Sequence, residues 1–321
     1  MRVGWKGAVG IGLSAVLVAY TLRDVDVAEV WAHVRTADFG LLAASLAVAL
    51  AGYLVRAFRW RVLLHPVDPD TALGSRFRAL IIGFMANNLL PARVGEFARA
   101  WAFGRLEPRV GVSAAFGSLV VERILDGLVL GIFLIGATLT PGFPTDALGP
   151  GFRGLLSAAL TLLGVMLAVL AALLLFPRPV VRAVSWAARF LPRGLARLVV
   201  DALEAFLASL AVVRSPVLLA SAFAWSLAFW FWHALSFYLG MRAFGIELGL
   251  VAAVFTEAVV GFAVALPAAP GFFGTFHVGA QFALETVYGA ASAPTLAFAY
   301  AYHLGGFIPV TLLGLWYLNA L

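Results

Sequence analysis

The sequence carries three charged residues, Glu122, Arg123 and Asp126, inside a long apolar run that covers residues 112–139. In a helix, Glu122 and Asp126 stand one turn apart on one face, and Arg123 reaches Asp126 at i+3. Ionisable groups within a membrane span are costly and by default indicate a polar pathway or a proton relay. We therefore favour a functional role for this group, with a structural ion-pair cluster that joins helices as the alternative.

A second charged group, Arg93, Glu96 and Arg99, follows Pro91 at a spacing that sets the three side chains on one helical face. The N–H groups and the dipole at the start of a helix favour an anion. This pattern predicts that the segment binds a phosphate or a similar anionic group. For Arg99, a charge that anchors the helix end at the cytoplasmic face explains the residue equally well.

The break at Pro91 belongs to a motif that occurs twice. Leu90-Pro91-Ala92-x-x-Gly95-x-Phe97 reappears as Leu266-Pro267-Ala268-x-x-Gly271-x-Phe273. Broken helices at matching places in two halves of a membrane chain indicate a binding site near the bilayer midplane. We therefore add the residues around both breaks to the predicted substrate-binding site, namely Asn87 and Asn88 at the first break and Glu257, Pro270, Gly271 and His277 at the second.

Some of these residues have local explanations as well. Asn87 and Asn88 either cap the broken backbone or contact a head group. His277 alone is explained equally well as a buried histidine that is held by hydrogen bonds. The remaining histidines show no ligand spacing, so we predict neither a metal nor a cofactor, and no catalytic residue is assigned.

The composition predicts a polytopic membrane protein. Apolar residues make up 63% of the 321-residue chain and charged residues 12%, and the mean hydropathy is +1.00. Several runs approach or exceed the ~18 apolar residues of a membrane span, and no loop is long enough for a separate soluble domain. The absence of cysteine excludes disulfides, thiolate catalysis and cysteine-ligated metals. The net charge of +6 comes from arginines near span ends, which argues against nucleic acid as a partner.

The apolar runs predict an all-α inverted-repeat bundle with about six full spans and two re-entrant broken-helix hairpins. The predicted spans cover residues 5–22, 39–55, 112–139, 154–176, 216–240 and 294–318. The predicted hairpins cover 77–107 and 250–287, because the run before Pro91 is only about 20 Å long against a hydrocarbon core of ~30 Å. Eight full spans are the alternative, since residues 250–266 are nearly enough to cross.

The chain is predicted to form one membrane domain made of two repeats, residues 1–139 and 140–321, in opposite orientation. The second repeat contains an amphipathic cytoplasmic segment at 177–214. Basic residues concentrate in alternate loops, which predicts that both termini lie on the cytoplasmic side of a plasma or inner membrane. Arg56, Arg59 and Arg61 follow the second span, and we interpret them as orientation anchors rather than ligands.

Four motifs stand out along nearly the whole chain. They are Arg56-x-x-Arg59-Trp60-x-x-Leu63-Leu64, Asn87-x-x-x-Pro91-x-Arg93-x-Gly95-Glu96, Glu122-Arg123-x-x-Asp126 and Pro267-x-x-Pro270-Gly271-x-x-Gly274. Together they resemble the flippase-like family that includes the transmembrane region of lysylphosphatidylglycerol synthase. The chain departs from the family pattern where Phe272 and Phe273 follow Gly271, and where His277 stands in place of an expected acid.

The resemblance implies a protein that binds lipids or lipid-linked head groups and moves them across the membrane. Some members carry a soluble aminoacyl-transfer domain after the spans, and lysyl transfer is not expected of a chain that stops at Leu321. We predict a lipid translocase, not an enzyme, for an anionic phospholipid or a polyprenyl-phosphate-linked head group. A membrane enzyme or accessory subunit that acts on lipid-linked phosphates, and a non-transporting scaffold, are the alternatives. The expected partners are anionic or phosphate-bearing membrane lipids, with a homodimer or a separate lipid-modifying enzyme left open.

Overall fold

The computed structural model describes residues 12, 16, 18–23, 26–90, 94–265 and 270–321, and every regular element within these ranges is helical. In chain order the helices are α1 (Val27–Thr36), α2 (Phe39–Leu64), α3 (Leu73–Leu89), α4 (Gly95–Leu106), α5 (Gly111–Thr138), α6 (Pro150–Leu175), α7 (Pro177–Ala188), α8 (Arg193–Ser209), α9 (Pro216–Ala243), α10 (Leu250–Ala265), α11 (Thr275–Gln281) and α12 (Ser292–Asn319). Short 3-10 turns cover Thr145–Ala147, Leu210–Arg214 and Pro270–Phe272, and a π-helical turn covers Phe282–Val287. The predicted all-α class is confirmed.

Three helices, α2, α9 and α12, are long and apolar enough to cross a membrane. They have 26, 28 and 28 residues, or about 40 Å of helix, which exceeds the ~30 Å hydrocarbon core. Between 28% and 39% of their most apolar stretches is buried inside the protein, so most of this surface faces outward, as lipid contact requires. A further candidate joins Leu163–Leu173 to α7 across an 86° bend. These helices confirm a multi-pass membrane protein; most of the predicted first span, 5–22, lies outside the described residues.

Helix α5 differs from those three because it carries Glu122, Arg123 and Asp126 near the middle of its 28 residues. Its length corresponds to about 42 Å, which is sufficient for a crossing. Glu122 and Asp126 are only 0% and 4% exposed, so the acids face the protein interior rather than lipid. The predicted span 112–139 is therefore one continuous helix whose charges are held by neighbouring helices.

Each predicted hairpin is a pair of helices that pack against each other on either side of a break. In the first, Gly83 of α3 lies against Gly95 and Arg99 of α4; in the second, Gly279 of α11 lies against Val260 of α10. The arms have 17 and 12 residues in the first pair and 16 and 7 in the second. No arm exceeds about 26 Å, which favours re-entrant hairpins over eight full spans.

The helices around the two hairpins pack in corresponding pairs. Helix α3 of the first pair packs against α12, the long helix that follows the second pair. Helix α10 of the second pair packs against α5, the long helix that follows the first pair. Helices α2 and α9, which precede the two hairpins, pack against each other. This exchange is the arrangement that an internal repeat predicts, while the repeat boundaries at 1–139 and 140–321 stay a prediction.

Helix α2 continues past the predicted span 39–55 to Leu64. Its uninterrupted apolar run ends at Val55, but Arg56, Arg59 and Trp60 in the added part are all buried. The helix continues beyond its apolar run because its polar residues contact partners inside the bundle. For Arg59, these partners are the Asp126 carboxylate of α5 and the Ser226 hydroxyl of α9.

The predicted amphipathic segment 177–214 forms α7 and α8, which are separated by residues 189–192. Trp186 and Phe190 are exposed, and the Arg189 guanidinium lies 4.5 Å from the centroid of the Trp186 ring. A surface of aromatic and cationic side chains is typical of a helix that lies in the membrane interface. Helix α8 also packs against α5, which connects this segment to the bundle.

Candidate functional site between the two hairpins

Glu122 is the centre of a buried charge cluster and is 0% exposed. Arg99 of α4 donates two hydrogen bonds to it, from Nη1 to Oε1 at 2.9 Å and from Nη2 to Oε2 at 3.1 Å. Arg59 of α2 approaches Glu122 Oε1 to 3.1 Å through Nη2. Paired N–H donors on one carboxylate are the strong form of arginine–acid contact. Glu122 therefore ties α2 and α4 to α5.

Asp126 lies one turn further along α5 and holds the other side of Arg59. Arg59 Nη1 donates to Asp126 Oδ1 at 2.5 Å and to Ser226 Oγ of α9 at 3.0 Å. Trp230 Nε1, also on α9, donates to the same Asp126 oxygen at 2.9 Å. Asp126 therefore connects α5 to both α2 and α9.

Two further arginines are held less completely. Arg123 Nη2 lies 2.6 Å from Glu122 Oε1 and 3.2 Å from Asp126 Oδ2, and the Arg123 side chain is 30% exposed. Arg56 Nη1 lies 3.6 Å from Glu122 and 3.8 Å from Asp126, and it makes no hydrogen bond to a described residue. The Arg56 guanidinium lies over the Phe229 ring, 3.9 Å from its centroid. Arg56 is therefore the arginine of this cluster whose terminal Nη1 group has no hydrogen-bond partner among the described residues.

The charges of the cluster do not balance within the described residues. Four arginines, at positions 56, 59, 99 and 123, contact two carboxylates, at positions 122 and 126, so two positive charges are in excess. Glu96 on the adjoining cavity wall reduces this excess to one, four cations against three acids. A buried charge without a counterion is costly. The site therefore favours an added anion.

A cavity of about 250 Å³ adjoins the cluster. Its polar lining consists of Arg56, Asn87, Glu96, Arg99, Arg123 and Asp126. The rest of the lining is largely apolar and includes Phe262 of α10 and Phe272 at the second tip. Glu96 Oε2 is buried and accepts no hydrogen bond from a described residue. Cationic and apolar surfaces in one cavity suit a ligand with an anionic group on an apolar chain.

A second cavity, of about 190 Å³, lies next to the first and shares Arg56, Phe84, Trp230 and Phe272 with it. Its other lining residues include six Phe and Tyr side chains and two ionisable groups that face each other, His233 and Glu257. The shared residues form a common wall between the two cavities.

The structure brings together the described charged residues that were predicted after the first break and in α5. Glu96, Arg99, Arg123 and Asp126 line the first cavity, and Glu122 lies behind them in contact with Arg99. Arg93 lies outside the described residues, as do residues 91–92 and 266–269. The role predicted for Arg93 therefore stays a prediction.

Asn87 and Asn88 have local partners at the first tip. Asn87 Oδ1 accepts a hydrogen bond from the Gly95 N–H at 2.8 Å, which caps the start of α4. Asn88 Nδ2 donates to Thr311 Oγ1 of α12 at 2.8 Å, which ties the tip to that helix. Both also border a cavity, Asn87 the first and Asn88 the second. Local turn stabilisation is thus one role of these residues, and ligand contact stays a prediction.

The second tip lies directly against the first. Gly271, which follows the half-buried Pro270, has a φ of +66°, and a Cβ added to it would lie 3.2 Å from the Asn88 carbonyl oxygen. His277 is buried, and its Nδ1 accepts a hydrogen bond from the Gly274 N–H at 3.2 Å. The described lining of the two cavities does not include His277, so its visible role is to stabilise the turn.

The interpretation of Arg56 and Arg59 as orientation anchors is wrong. They are 6% and 0% exposed, and both reach the carboxylates of α5. Arg61 does fit an anchor, since it is exposed and its Nε donates to the Pro69 carbonyl at 3.2 Å. One signal was present in the sequence: Arg56, Arg59 and Leu63 share a helical face at i, i+3 and i+7.

In the part of the chain that the structure describes, no group of three or more His, Asp or Glu side chains is arranged to hold a metal. The predictions of no metal and no cofactor stay predictions.

A helical membrane bundle that buries ionisable residues in its interior is typical of membrane proteins with a polar functional site. The chain matches the model of the family described as the lysylphosphatidylglycerol synthase TM region over residues 7–314. It therefore belongs to this family, as the sequence motifs predicted, and it is a membrane protein related to lipid handling.

Among curated proteins, the chain is similar to Glycosyltransferase AglD of Haloferax volcanii, with 27% identity over 311 residues. The match covers 89% of this chain and 49% of that protein, so the chain spans about half the length of this relative. No solved structure matches the chain. The prediction that the chain is not an enzyme is corrected by this comparison, because the relative carries the name of an enzyme.

Proposed function

We propose that the chain binds a lipid with an anionic, phosphate-bearing head group at the arginine cluster and carries that head group across the membrane. Membership of a lipid-related membrane family supports the choice of ligand. The acyl or isoprenyl chain of the ligand would stay in the surrounding lipid while the head group passes between the hairpins.

The observation that carries the proposal is the excess positive charge beside the first cavity. Arg56, Arg99 and Arg123 all line that cavity, and Arg56 Nη1 has no hydrogen bond to a described residue. Guanidinium groups bind phosphate oxygens through paired N–H donors, so a phosphate is the anion that these residues suit best. Binding it would neutralise charge that the described carboxylates leave uncompensated.

The two hairpins support a carrier rather than a fixed binding site. Their tips meet where Gly271 lies against Asn88, and the polar lining of the first cavity comes largely from the first hairpin and α5. In transporters with repeats, movement of one repeat against the other opens a central site to alternate sides. The corresponding helix pairs around the two hairpins are suited to such a movement.

Lipid translocation in proteoliposomes tests the proposal. Labelled anionic phospholipid and labelled polyprenyl phosphate are reconstituted separately, and a membrane-impermeant quencher reports how much label reaches the outer leaflet. We expect wild-type protein to move at least one of the two lipids, Arg56→Gln to move neither, and Glu247→Gln to behave as wild type, since Glu247 is an exposed loop residue. Normal movement by folded Arg56→Gln would contradict the site, and no movement by wild type would contradict the function.

A second candidate function is glycosyl transfer involving a lipid-linked phosphate, which the name of the relative favours. The arginines would hold the phosphate in the same way. Glu96 would be the acid or base, because its buried Oε2 is without a described hydrogen-bond partner, whereas Glu122 and Asp126 are held by arginines. Formation of a labelled lipid-linked sugar from polyprenyl phosphate and nucleotide sugars, with loss in Glu96→Gln, would favour this function over translocation alone.

A further inference from the structure

We propose that His233 and Glu257 form a proton-binding site that couples movement of the anionic lipid to a proton gradient. This inference rests on the proposed translocase function and supplies its source of energy. The proton would enter the site from the acidic side of the membrane and leave it on the other side, together with the lipid.

The first observation is the kind of partner that each buried acid has. Glu257 of α10 is 3% exposed, and its Oε2 lies 2.9 Å from Nδ1 of His233 on α9. Glu122 and Asp126 instead contact arginines, which stay charged at any physiological pH. A histidine changes its charge near neutral pH. Among the buried acids within the described ranges, Glu257 is the one whose ion-pair partner is a histidine.

The second observation concerns the groups around the pair. From α2, Tyr53 and Arg56 face the second cavity, and from α12, Tyr302 and His303 face it. The described lining residues from α3 and α11 are not titratable, and Glu257 is the single carboxylate in the described lining. Tyrosines are neutral at physiological pH, and the Arg56 guanidinium lies over the Phe229 ring. The His303 ring packs on the Phe276 ring, with 4.7 Å between centroids.

In these surroundings, the net charge of the pair depends on whether it holds one proton. With one proton, the pair is a histidinium and a carboxylate with no net charge. Without that proton, it carries one negative charge from Glu257. A proton gained from water is therefore bound by the pair of Glu257 and His233, and no other carboxylate of the described lining competes for it.

The third observation is the position of the pair beside the arginine cavity. Gly261 and Val264, which follow Glu257 on α10, line both cavities, so the two spaces share a wall. The negative charge of the unprotonated pair repels an anionic head group, and proton uptake removes that repulsion. Proton and anionic lipid therefore favour each other's binding, and such coupling is reciprocal. Cooperative binding predicts that both move in the same direction.

A pH gradient across proteoliposome membranes tests this coupling with labelled anionic phospholipid. If one proton accompanies one lipid, a gradient of about one pH unit should hold about tenfold more label in the leaflet that faces the alkaline side. Glu257→Gln, which removes the proton-binding carboxylate, should lose this excess in samples where label still moves between leaflets. Glu247→Gln and protein-free vesicles serve as controls, with an excess expected for Glu247→Gln alone.

The other outcomes separate the two proposals. Equal labelling of both leaflets by wild type, with movement intact, would overturn proton coupling and leave translocation standing. No movement of label by wild type, with or without a gradient, would overturn both. A tenfold excess in Glu257→Gln would overturn the assignment to this pair. If Glu257→Gln moves no lipid, His233→Gln decides, because it keeps the carboxylate, and a retained excess there would overturn the inference.

Discussion

Arg56 Nη1 stands 3.8 Å from Asp126 Oδ2, beyond the range of a hydrogen bond. The nearer position at Asp126 is taken by Arg59, whose Nη1 lies 2.5 Å from Oδ1. The two arginines are one helical turn apart on α2, yet they have different environments. Arg59 is enclosed by the acids that join the helices, whereas Arg56 lines both cavities. This contrast separates residues that hold the fold from residues that are available to a ligand.

Arg56→Gln should weaken lipid binding clearly and the fold only modestly. The loss of charged hydrogen bonds to a phosphate, worth about 1.5–3 kcal/mol, corresponds to a reduction in affinity of roughly 10- to 100-fold. The loss of the ring contact with Phe229 should lower the free energy of unfolding by no more than about 2 kcal/mol. Binding of labelled anionic lipid to protein in nanodiscs and thermal unfolding of the same samples measure the two effects.

Arg59→Gln is the matched change, and we expect it to weaken the fold more than it weakens lipid binding. Arg59→Gln removes the guanidinium that donates to Asp126 and Ser226, and a buried acceptor left without its donor costs about 1–3 kcal/mol. We expect Arg59→Gln to unfold at a clearly lower temperature than Arg56→Gln in the same nanodiscs. Equal destabilisation by the two substitutions would contradict the division of roles between them.

The sequence allowed the helical membrane fold, the two pairs of short helices and the charged centre of α5 to be predicted. Long apolar runs and charges within them are local features, so spacing reveals them. Arg56 and Arg59 were misinterpreted because arginines just beyond an apolar run usually anchor a span end. Whether such a side chain faces water or the bundle depends on residues distant in the chain, here Asp126 and Ser226.

The pair of His233 and Glu257 was out of reach for the same reason. Glu257 was predicted in the site, but His233 lies on another helix, and no sequence spacing relates the two residues. For Asn87 and Asn88, the sequence left two possible roles, capping of the broken backbone or contact with a ligand. The group that Asn87 caps, the Gly95 N–H, could not be predicted because it is brought to Asn87 by the packing of α3 on α4.

Asn87→Ala should destabilise the first hairpin. Without the side-chain oxygen, the Gly95 N–H at the start of α4 loses its cap, which costs about 1 kcal/mol and at most about 2. Asn87→Asp keeps an acceptor at the same place and should preserve more of that stability. Thermal unfolding of the two variants side by side measures the difference. Equal destabilisation by Asn87→Ala and Asn87→Asp would mean that the amide N–H₂ group of Asn87, and not its oxygen, stabilises the hairpin.

Gly314→Ala should separate α12 from α3. A Cβ at Gly314 would overlap the Met85 side chain and lie 3.0 Å from the Ile81 carbonyl oxygen. Overpacking of this kind costs about 1–3 kcal/mol. Gly306 on the same helix is the matched control, because a Cβ there meets no atom within 4 Å. Gly306→Ala should be neutral or stabilise by up to about 1 kcal/mol, since alanine favours helix. Thermal unfolding in nanodiscs distinguishes the two directions.

The tip of the first hairpin should be inaccessible from outside the cell if α3 and α4 turn back within the membrane. The chain has no cysteine, so Leu90→Cys introduces a single thiol at a tip residue that is 48% exposed. A membrane-impermeant thiol reagent added to intact cells should label Asp146→Cys, which is predicted outside, and should label neither Leu90→Cys nor the predicted cytoplasmic Asp70→Cys. Two full crossings by α3 and α4 would instead expose residue 90 on the outer face, and Leu90→Cys would then react as readily as Asp146→Cys. Because arms of 17 and 12 residues reach only about 26 and 18 Å, we expect the first pattern.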